Sequence, residues 1–153
     1  MRNHRDVPIT IDFVGEGALE KEVVRAVKRD GRIRYLGKWD KEKIQQNLCE
    51  YDFLILPSHE EPFGIVLIEA ITCGVPCIVS NALGPKEIIV NEKNGFIFNL
   101  EDEGSFDKII MFSIEMDNAR YCEMCRNALK DSARYSSKNI VKRWVKLIRK
   151  AEC

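Results

Sequence analysis

The chain has 153 residues, and its 24 Lys and Arg are balanced by 24 Asp and Glu. This length predicts one domain, residues 1–153, with a core of its own, and the balanced charge argues against a nucleic-acid partner. No signal peptide and no apolar run of about 18 residues is present, so we expect a cytoplasmic protein whose six cysteines are reduced thiols.

Strand patterns and helix patterns alternate along the first hundred residues. The predicted strands lie at 9–14, 33–36, 52–56, 77–80 and 96–98. The predicted helices lie at 18–28, 41–49, 62–73, 86–90, 102–116, 119–130 and 137–151. This order predicts an α/β fold, a Rossmann-like domain of three layers (α/β/α) around a mostly parallel sheet of about five strands.

Two connections near the N-terminus carry residues of interest. Gly15 and Gly17 follow the first strand; this spacing opens a Gly-rich phosphate loop but equally serves a plain strand-to-helix turn. Lys38 and Trp39 follow the second strand, at the strand end where open parallel sheets bind ligands. Asp40 as a helix N-cap beside a partly exposed tryptophan explains that segment equally well.

The segment after the third strand predicts an anion site. Pro62 suits the first position of a helix that continues to about residue 73. The first free N–H groups of such a helix belong to Phe63, Gly64 and Ile65, and they attract anions at the positive end of the helix dipole. Gly64 has no Cβ, so a ligand can approach the backbone closely.

Two acids, Glu61 and Glu69, frame this helix. On one helix they would be offset by ~80° around the axis and ~12 Å along it. A lone Glu69 in an apolar run is most simply a solvent-facing or ion-paired residue. Beside a phosphate site, however, Glu69 could accept hydrogen bonds from a ribose diol and Glu61 could meet a sugar hydroxyl. His59 and Glu60 share the loop, but only Glu61 lies eight residues before Glu69.

The segment EPFGIVLIE at 61–69 resembles the E-x7-E signature of retaining glycosyltransferases of family 4, which have the GT-B fold. The segments GVP at 74–76, GPKE at 84–87 and NG at 94–95 follow in that family's order. The resemblance, which runs from about residue 9 to 98, implies the C-terminal, donor-binding domain of a hexosyltransferase. Such an enzyme transfers sugar from a nucleotide-diphosphate sugar, with retention, to a glycan or glycolipid acceptor in polysaccharide biosynthesis.

The resemblance also implies roles for individual residues. Glu61 is the catalytic residue, because its charge stabilises positive charge at the anomeric carbon. Residues implied to bind the donor sugar or diphosphate are Phe63, Gly64, Ile65, Gly15 and Gly17. Residues implied to bind the nucleoside are Glu69, Lys38 and Trp39. No metal or other cofactor is expected, since helix amides and basic groups balance the phosphate charge.

The chain departs from the family pattern at two places, and the second departure leaves the donor sugar unpredicted. The family often has glycine where Pro62 stands, which removes one potential amide donor. It also has two adjacent glycines, or Gly-Ile-Pro, where Leu83 precedes Gly84 and Pro85. If Gly84 faces Phe63, we expect its backbone to border the sugar pocket.

An N-terminal acceptor domain is not recognisable in the sequence, nor is the first strand of a GT-B donor domain, whose following segment supplies an Arg and a Lys. We therefore expect the N-terminal domain as a partner and no turnover by this chain alone. The helix at 137–151 is basic and amphipathic. It could pack on its own domain, cross to the N-terminal domain or, less favoured, contact anionic lipid at the inner face of a membrane.

Two other functions stay open. A GT-B nucleotide-sugar 2-epimerase would use a similar nucleotide pocket with acid and base residues from two domains. A non-catalytic nucleotide- or phosphate-binding α/β module would use the helix start but not Glu61.

Overall fold

The structure, a computed structural model, describes residues 9–151; in the last helix it describes all side chains except those at 143, 146, 147 and 149–151. The chain divides into two units, Met1–Gln46 and Asn47–Cys153.

The described part of the first unit is a small parallel α/β layer. Its elements are β1 (Ile11–Val14), α1 (Glu20–Arg29), β2 (Ile33–Gly37) and α2 (Lys41–Asn47), which ends one residue into the second unit. β1 and β2 pair in parallel, and the guanidinium of Arg34 binds the carboxylate of its cross-strand partner Asp12 at 2.5 and 2.6 Å. Asp40 accepts the Lys43 N–H at 2.8 Å, which confirms it as the cap of α2. None of residues 9–46 is fully buried, so the described part of this unit has no dry core.

The second unit contains the larger sheet. Its elements are a 3₁₀ turn (Leu48–Glu50), β3 (Leu54–Leu56), α3 (Ile65–Thr72), β4 (Cys77–Ser80), α4 (Leu83–Ile88), β5 (Gly95–Phe98), α5 (Glu103–Glu115), α6 (Asn118–Ser132), a second 3₁₀ turn (Ala133–Tyr135) and α7 (Ser137–Ala151). The strand order is β3-β4-β5, all parallel. All four residues of β4 are buried. Since successive strand side chains face opposite sides, layers cover both faces, which confirms the three-layer α/β/α architecture.

The described strands are all parallel, as predicted, but they form two sheets rather than one. No ladder joins the pair β1-β2 to the set β3-β4-β5 among the described residues. The pattern of apolar runs predicted the five strands, but a pattern within each strand does not specify which strands are neighbours.

The core of the second unit lies between its sheet and α5 and α6. Ile78, Phe96, Phe98 and Met124 form one buried cluster, against which half-buried side chains of α5 pack. Both helices begin at aspartate caps: Asp102 accepts the Gly104 N–H at 3.0 Å, and Asp117 accepts the Arg120 N–H at 2.8 Å. These starts lie within a residue or two of those predicted.

The Asn94-Gly95 pair has a structural role. Asn94 is fully buried, accepts the Val90 N–H at 2.8 Å and donates to Asp131 in α6 at 3.1 Å. Lys93 also pairs with Asp131, at 2.9 Å. A Cβ on Gly95 would lie 2.1 Å from the Cys77 carbonyl oxygen of β4. Only glycine therefore lets β5 lie this close to β4.

Helix α7 does not bury its apolar face. The described apolar side chains of this face are 40–62% exposed: Ile140, Val141, Trp144, Val145 and Ile148. The expectation that this face packs on its own domain is wrong for these side chains. The basic residues at 143, 146, 149 and 150 and the apolar residue at 147 lie outside the described side chains. Among the helices that the structure describes, none is long and apolar enough to cross a membrane.

Candidate functional site

Residues 57–64, which connect β3 to α3 and are called here the 57–64 turn, contain three of the nine predicted site residues, Glu61, Phe63 and Gly64. The helix after it begins at Ile65, not at Pro62 as predicted. Gly64 has φ +81° and ψ 64°, a left-handed conformation that cannot belong to a right-handed helix, so the helix starts after it. The Leu67 N–H donates to the Gly64 carbonyl at 2.9 Å, and the helix N–H groups before it belong to Ile65 and Val66.

Phe63 and Glu61 contact each other within the turn. The Phe63 N–H, predicted to be free for an anion, donates to Glu61 Oε1 at 3.3 Å. The expectation that it is free is therefore wrong in the ligand-free structure. Because the helix begins only after Gly64, Glu61 lies outside it and its side chain can fold back over the backbone two residues ahead. A carboxylate here occupies the place that we predicted for an anionic ligand.

Gly84, from α4, packs against the backbone of the turn. Its N–H donates to the Glu61 carbonyl at 3.2 Å, and a Cβ on Gly84 would lie 2.3 Å from that oxygen. The same Cβ would lie 2.7 Å from the Phe63 nitrogen, so Gly84 does face Phe63, as the conditional prediction required. Real Cβ atoms do not approach backbone so closely, and any side chain at this position would displace the turn.

Ser80 anchors the beginning of the turn. This residue ends β4, is fully buried and donates its hydroxyl to the Ser58 carbonyl at 2.5 Å. Together, Ser80 and Gly84 fix the 57–64 turn to β4 and to the segment after it. These contacts are present in the ligand-free structure.

Gly64 is glycine for a reason other than the predicted one. Its left-handed φ disfavours any side chain, and a Cβ would lie 2.9 Å from Leu67 Cδ1 and 3.5 Å from Glu61 Cγ. The open side of Gly64 thus faces the protein. Contact between its N–H and a ligand stays a prediction.

Glu69 lies on α3 and, like Glu61, is half-buried. The predicted helical offset between the two acids does not apply, because Glu61 precedes the helix. Glu69 also acts on its neighbour Cys73: burial chiefly, with the charges of Cys49 and Glu69, raises the pKa of the Cys73 thiol. His59 and Glu60 are exposed.

In the first unit, Gly15 and Gly17 border a shallow pocket of about 200 Å³. Gly15 has φ +135°, and its carbonyl accepts the Tyr35 hydroxyl at 3.0 Å across the pocket. A Cβ on either glycine would meet no atom within 4 Å. The pocket is therefore open at both glycines.

Lys38 and Trp39, from the other connection of this unit, already have partners. Lys38 Nζ pairs with Glu16 Oε1 at 2.5 Å, and that carboxylate raises the pKa of the lysine. Trp39 is half-buried, and the Lys43 ammonium lies 5.1 Å from its ring centroid. Contact of Lys38 or Trp39 with a nucleoside stays a prediction.

Within residues 9–151, no group of three or more His, Cys, Asp or Glu side chains is placed to hold a metal ion. The five cysteines in this range are free thiols, and Cys153 lies outside it.

Sequence reasoning missed two residues that contact the turn or its neighbours, Ser80 and Tyr135. Ser80 is the last residue of β4, the strand beside β3. Because ligands bind at the carboxyl ends of such strands, this position was a readable signal. The ring of Tyr135 packs edge-on against that of Phe63, with centroids 6.3 Å apart. No local pattern could have indicated a contact between residues so far apart in sequence.

Comparison with known proteins identifies the family. The family model for glycosyl transferases group 1 matches residues 2–132. The chain belongs to this family. The predicted resemblance to GT-B glycosyltransferases is thereby confirmed.

The curated relatives are longer than this chain. N-acetyl-alpha-D-glucosaminyl L-malate synthase of Bacillus anthracis is 33% identical over 100 residues, which cover 63% of this chain and 26% of that protein. UDP-Gal:alpha-D-GlcNAc-diphosphoundecaprenol alpha-1,3-galactosyltransferase of Escherichia coli is 35% identical over 98 residues, 61% of this chain and 25% of that protein. This chain thus matches about a quarter of the length of either relative.

Solved structures show the same fold. Anabaena HepE in complex with UDP superposes with a TM-score of 0.79 at 26% identity, covering 93% of this chain and 41% of HepE. HepE in complex with UDP-glucose superposes with a TM-score of 0.75 at 27% identity, covering 92% of this chain and 41% of HepE. The C-terminal domain of a group 1 glycosyl transferase, LpcC of Francisella tularensis, gives 0.65 at 25% identity, over 78% of this chain and 63% of that domain.

Proposed function

We propose that this chain binds a nucleotide-diphosphate sugar through the 57–64 turn and the start of α3, as the donor-binding part of a retaining glycosyltransferase of family 4. The observation that carries the proposal is the turn, which holds the Glu61 carboxylate on the Phe63 N–H just before the start of α3 and is bonded to Gly84 through the Glu61 carbonyl. Membership of the glycosyl transferases group 1 family supports it. So does the similarity to HepE, which was crystallised with UDP and with UDP-glucose.

The ligand-free hydrogen bond suggests how the donor is accepted. Glu61 Oε1 now takes the Phe63 N–H, at the long distance of 3.3 Å. A donor phosphate at the helix start would replace the carboxylate as acceptor, with the Gly64 and Ile65 amides beside it. Glu61 would then be released towards the hydroxyl groups of the sugar. Donor binding is thus an exchange of one anion for another at a prepared site.

Glu61 has an electrostatic role in the proposed reaction. As the bond from the anomeric carbon to the diphosphate breaks, positive charge develops on the sugar ring, and an adjacent carboxylate stabilises it. The acceptor hydroxyl attacks from the face that the diphosphate leaves, and the departing phosphate oxygen takes the hydroxyl proton. Configuration is retained, the nucleoside diphosphate is the product, and no metal is used.

Glu69 is proposed to accept hydrogen bonds from the ribose diol, on α3 beyond the phosphate. The donor-binding roles of Gly15 and Gly17 and the nucleoside-binding roles of Lys38 and Trp39 remain proposals carried by the resemblance. The acceptor is proposed to be a glycan or glycolipid of polysaccharide biosynthesis. Among the relatives, the Escherichia coli enzyme is named for a sugar diphosphoundecaprenol acceptor.

The exposed apolar face of α7 is proposed to bind the N-terminal half of the enzyme, as the resemblance implies. Five described apolar side chains of this face are exposed, the largest of them Trp144 at 62%. A helix with such a face gains stability by covering it. If α7 instead binds anionic vesicles and leaves the N-terminal half unbound, the enzyme is peripheral to the inner face of a membrane through this helix.

Ligand-observed NMR with UDP-, GDP- and ADP-sugars tests the proposal. We expect one nucleotide series to bind weakly, and its signals to lose saturation transfer in Glu69→Ala. Glu60→Ala is the matched control, because Glu60 is an exposed acid of the same turn and should leave binding unchanged. Equal binding by wild type and Glu69→Ala would remove the ribose role. No binding by the folded wild type would contradict donor binding by this chain.

A further inference from the structure

Tyr135 connects three parts of the second unit. It ends the 3₁₀ turn Ala133–Tyr135 that joins α6 to α7, and it is half-buried. Its hydroxyl donates to the Glu87 carbonyl of α4 at 3.2 Å. Its ring meets the ring of Phe63 edge-on, with centroids 6.3 Å apart and planes at 73°. One side chain thus touches both α4 and the 57–64 turn.

The two contacts of Tyr135 reach the turn by different routes. α4 contains Gly84, whose N–H holds the Glu61 carbonyl, and it also contains Glu87, which accepts the tyrosine hydroxyl. Phe63, which the tyrosine ring supports, donates its N–H to the Glu61 carboxylate. The main chain of Glu61 is therefore held through α4, and its side chain through Phe63.

The Phe63 ring lies partly at the surface of the turn. The side chain of this residue is 40% exposed, and its backbone lies between Pro62 and the left-handed Gly64. Edge-to-face aromatic pairs have a preferred geometry, so the Tyr135 ring favours one position of the half-exposed Phe63 ring. Loss of the partner lets the Phe63 backbone move, and the bond to Glu61 Oε1 moves with it.

We propose that Tyr135 is a positioning residue that sets the Glu61–Phe63 conformation and thereby the affinity for the donor. The link to donor affinity rests on the proposed function; the link to turn conformation does not.

Three variants of the 153-residue chain separate the contacts. Tyr135→Leu removes the ring pair and the hydroxyl bond, whereas Tyr135→Phe keeps the ring and removes only the hydroxyl. Tyr121→Leu is the matched control: Tyr121 packs against Phe53 at 5.6 Å and donates to the Asp52 carbonyl at 3.1 Å, so it loses the same kinds of contact elsewhere.

The first measurement needs no ligand: the chemical shifts and hydrogen exchange of the Phe63 and Gly64 amides. We expect Tyr135→Leu to shift both signals and speed their exchange, Tyr135→Phe to resemble wild type, and Tyr121→Leu to leave both amides unchanged. Unchanged amides in Tyr135→Leu, or the same change in Tyr121→Leu, would overturn the proposal. Should Tyr135→Leu fail to fold, Tyr135→Met, which also lacks the ring and the hydroxyl, takes its place, and unchanged Phe63 and Gly64 amides in that variant overturn the proposal.

The second measurement is the affinity for UDP-glucose. We expect Tyr135→Leu to weaken it about two- to tenfold, the range of an edge-to-face aromatic pair, and Tyr135→Phe to stay within about twofold of wild type. Unchanged affinity with altered amides would overturn the link to donor affinity. If the wild type binds no nucleotide sugar while the amides respond as expected, the proposed function fails and the positioning role of Tyr135 stands.

Discussion

Two glycine-containing turns, one after β1 and one after β3, differ in how they are held. Gly15 and Gly17 border an open pocket, and a Cβ on either would meet nothing within 4 Å. The 57–64 turn is fixed by Ser80, by Gly84 and by the ring of Tyr135, and a Cβ on Gly84 would lie 2.3 Å from its backbone. Both turns have the sequence appearance of a ligand loop, but only the second is tightly packed.

The difference shows that glycines in these turns and packed against them have separate uses. Gly15 is needed for its backbone angle and Gly84 for close approach, whereas Gly17 has neither a positive φ nor a near neighbour. A turn fixed before binding loses less conformational freedom when its ligand arrives. We therefore place the donor at the fixed turn, and each prediction below tests whether packing distinguishes the two.

Gly84→Ala should have the largest effect. Its methyl group would overlap the Glu61 carbonyl, so the turn must move, and overpacking of this kind costs typically about 1–3 kcal/mol of unfolding free energy. Donor binding should be lost with it. Chemical denaturation and nucleotide-sugar titration measure the two effects. Wild-type affinity in Gly84→Ala would show that the close contact does not shape the site.

Ser80→Ala should lower the free energy of unfolding by less, about 0.5–1.5 kcal/mol, since one hydrogen bond to the Ser58 carbonyl is lost. The turn amides should exchange faster at its N-terminal end, while those of β4 stay protected. Ser132→Ala is the control, because its hydroxyl donates to the Leu129 carbonyl within one helix turn of α6. If both variants lose the same stability and the turn amides exchange equally fast in both, Ser80 does not anchor the turn.

The fold was readable from sequence because its evidence is local. Apolar runs predicted the five strands, apolar stripes predicted α5 and α6, and Asp40 marked the start of α2. The start of α3 was predicted three residues early, because Pro62 suits a first helical position. Only the backbone angle of Gly64 excludes that start, and a backbone angle is not visible in a residue name.

The site was only partly readable, because its remaining contacts join distant residues. Glu61, Phe63 and Gly64 were found from one short segment. The bond between the Glu61 carboxylate and the Phe63 N–H depends on how the turn folds back. Ser80 and Tyr135 reach the turn from other elements, and so does the backbone of Gly84. Likewise, the separation of the strands into two sheets is a matter of pairing, which the pattern of each strand leaves open.

Glu61→Gln should keep the fold and change the ligand preference. The amide oxygen can still accept the Phe63 N–H, so the turn stays in place, but the negative charge is lost. We expect the nucleoside diphosphate to bind within about twofold of wild type. We expect the affinity for the nucleotide sugar to fall about tenfold. This is roughly 1.4 kcal/mol of binding free energy, the size of a charge-assisted hydrogen bond.

Titration calorimetry with both ligands measures this preference, and Glu60→Gln is the matched control, since Glu60 is exposed in the same turn. If Glu61→Gln binds both ligands as wild type does, the chain is better described as a nucleotide-binding module that makes no use of this acid. That result would also remove the proposed stabilisation of charge on the sugar.

Gly17→Ala should have the smallest effect. The new methyl group meets no atom within 4 Å and the backbone angle is not left-handed, so the native state bears no strain. A less flexible unfolded chain should leave stability unchanged or raise it by up to about 1 kcal/mol. Thermal unfolding and donor titration check this. A loss of donor binding comparable to that of Gly84→Ala would erase the distinction between the two turns.

The most direct test of donor binding at the fixed turn is an amide-resolved NMR titration of the wild-type chain. The ligand is the nucleotide sugar that binds best in the UDP, GDP and ADP panel. The account predicts the largest shifts at Phe63, Gly64 and Ile65, with the Phe63 signal reporting the exchange of Glu61 for phosphate. Saturable binding with these three amides unmoved would contradict it, because the donor would then bind elsewhere on the chain.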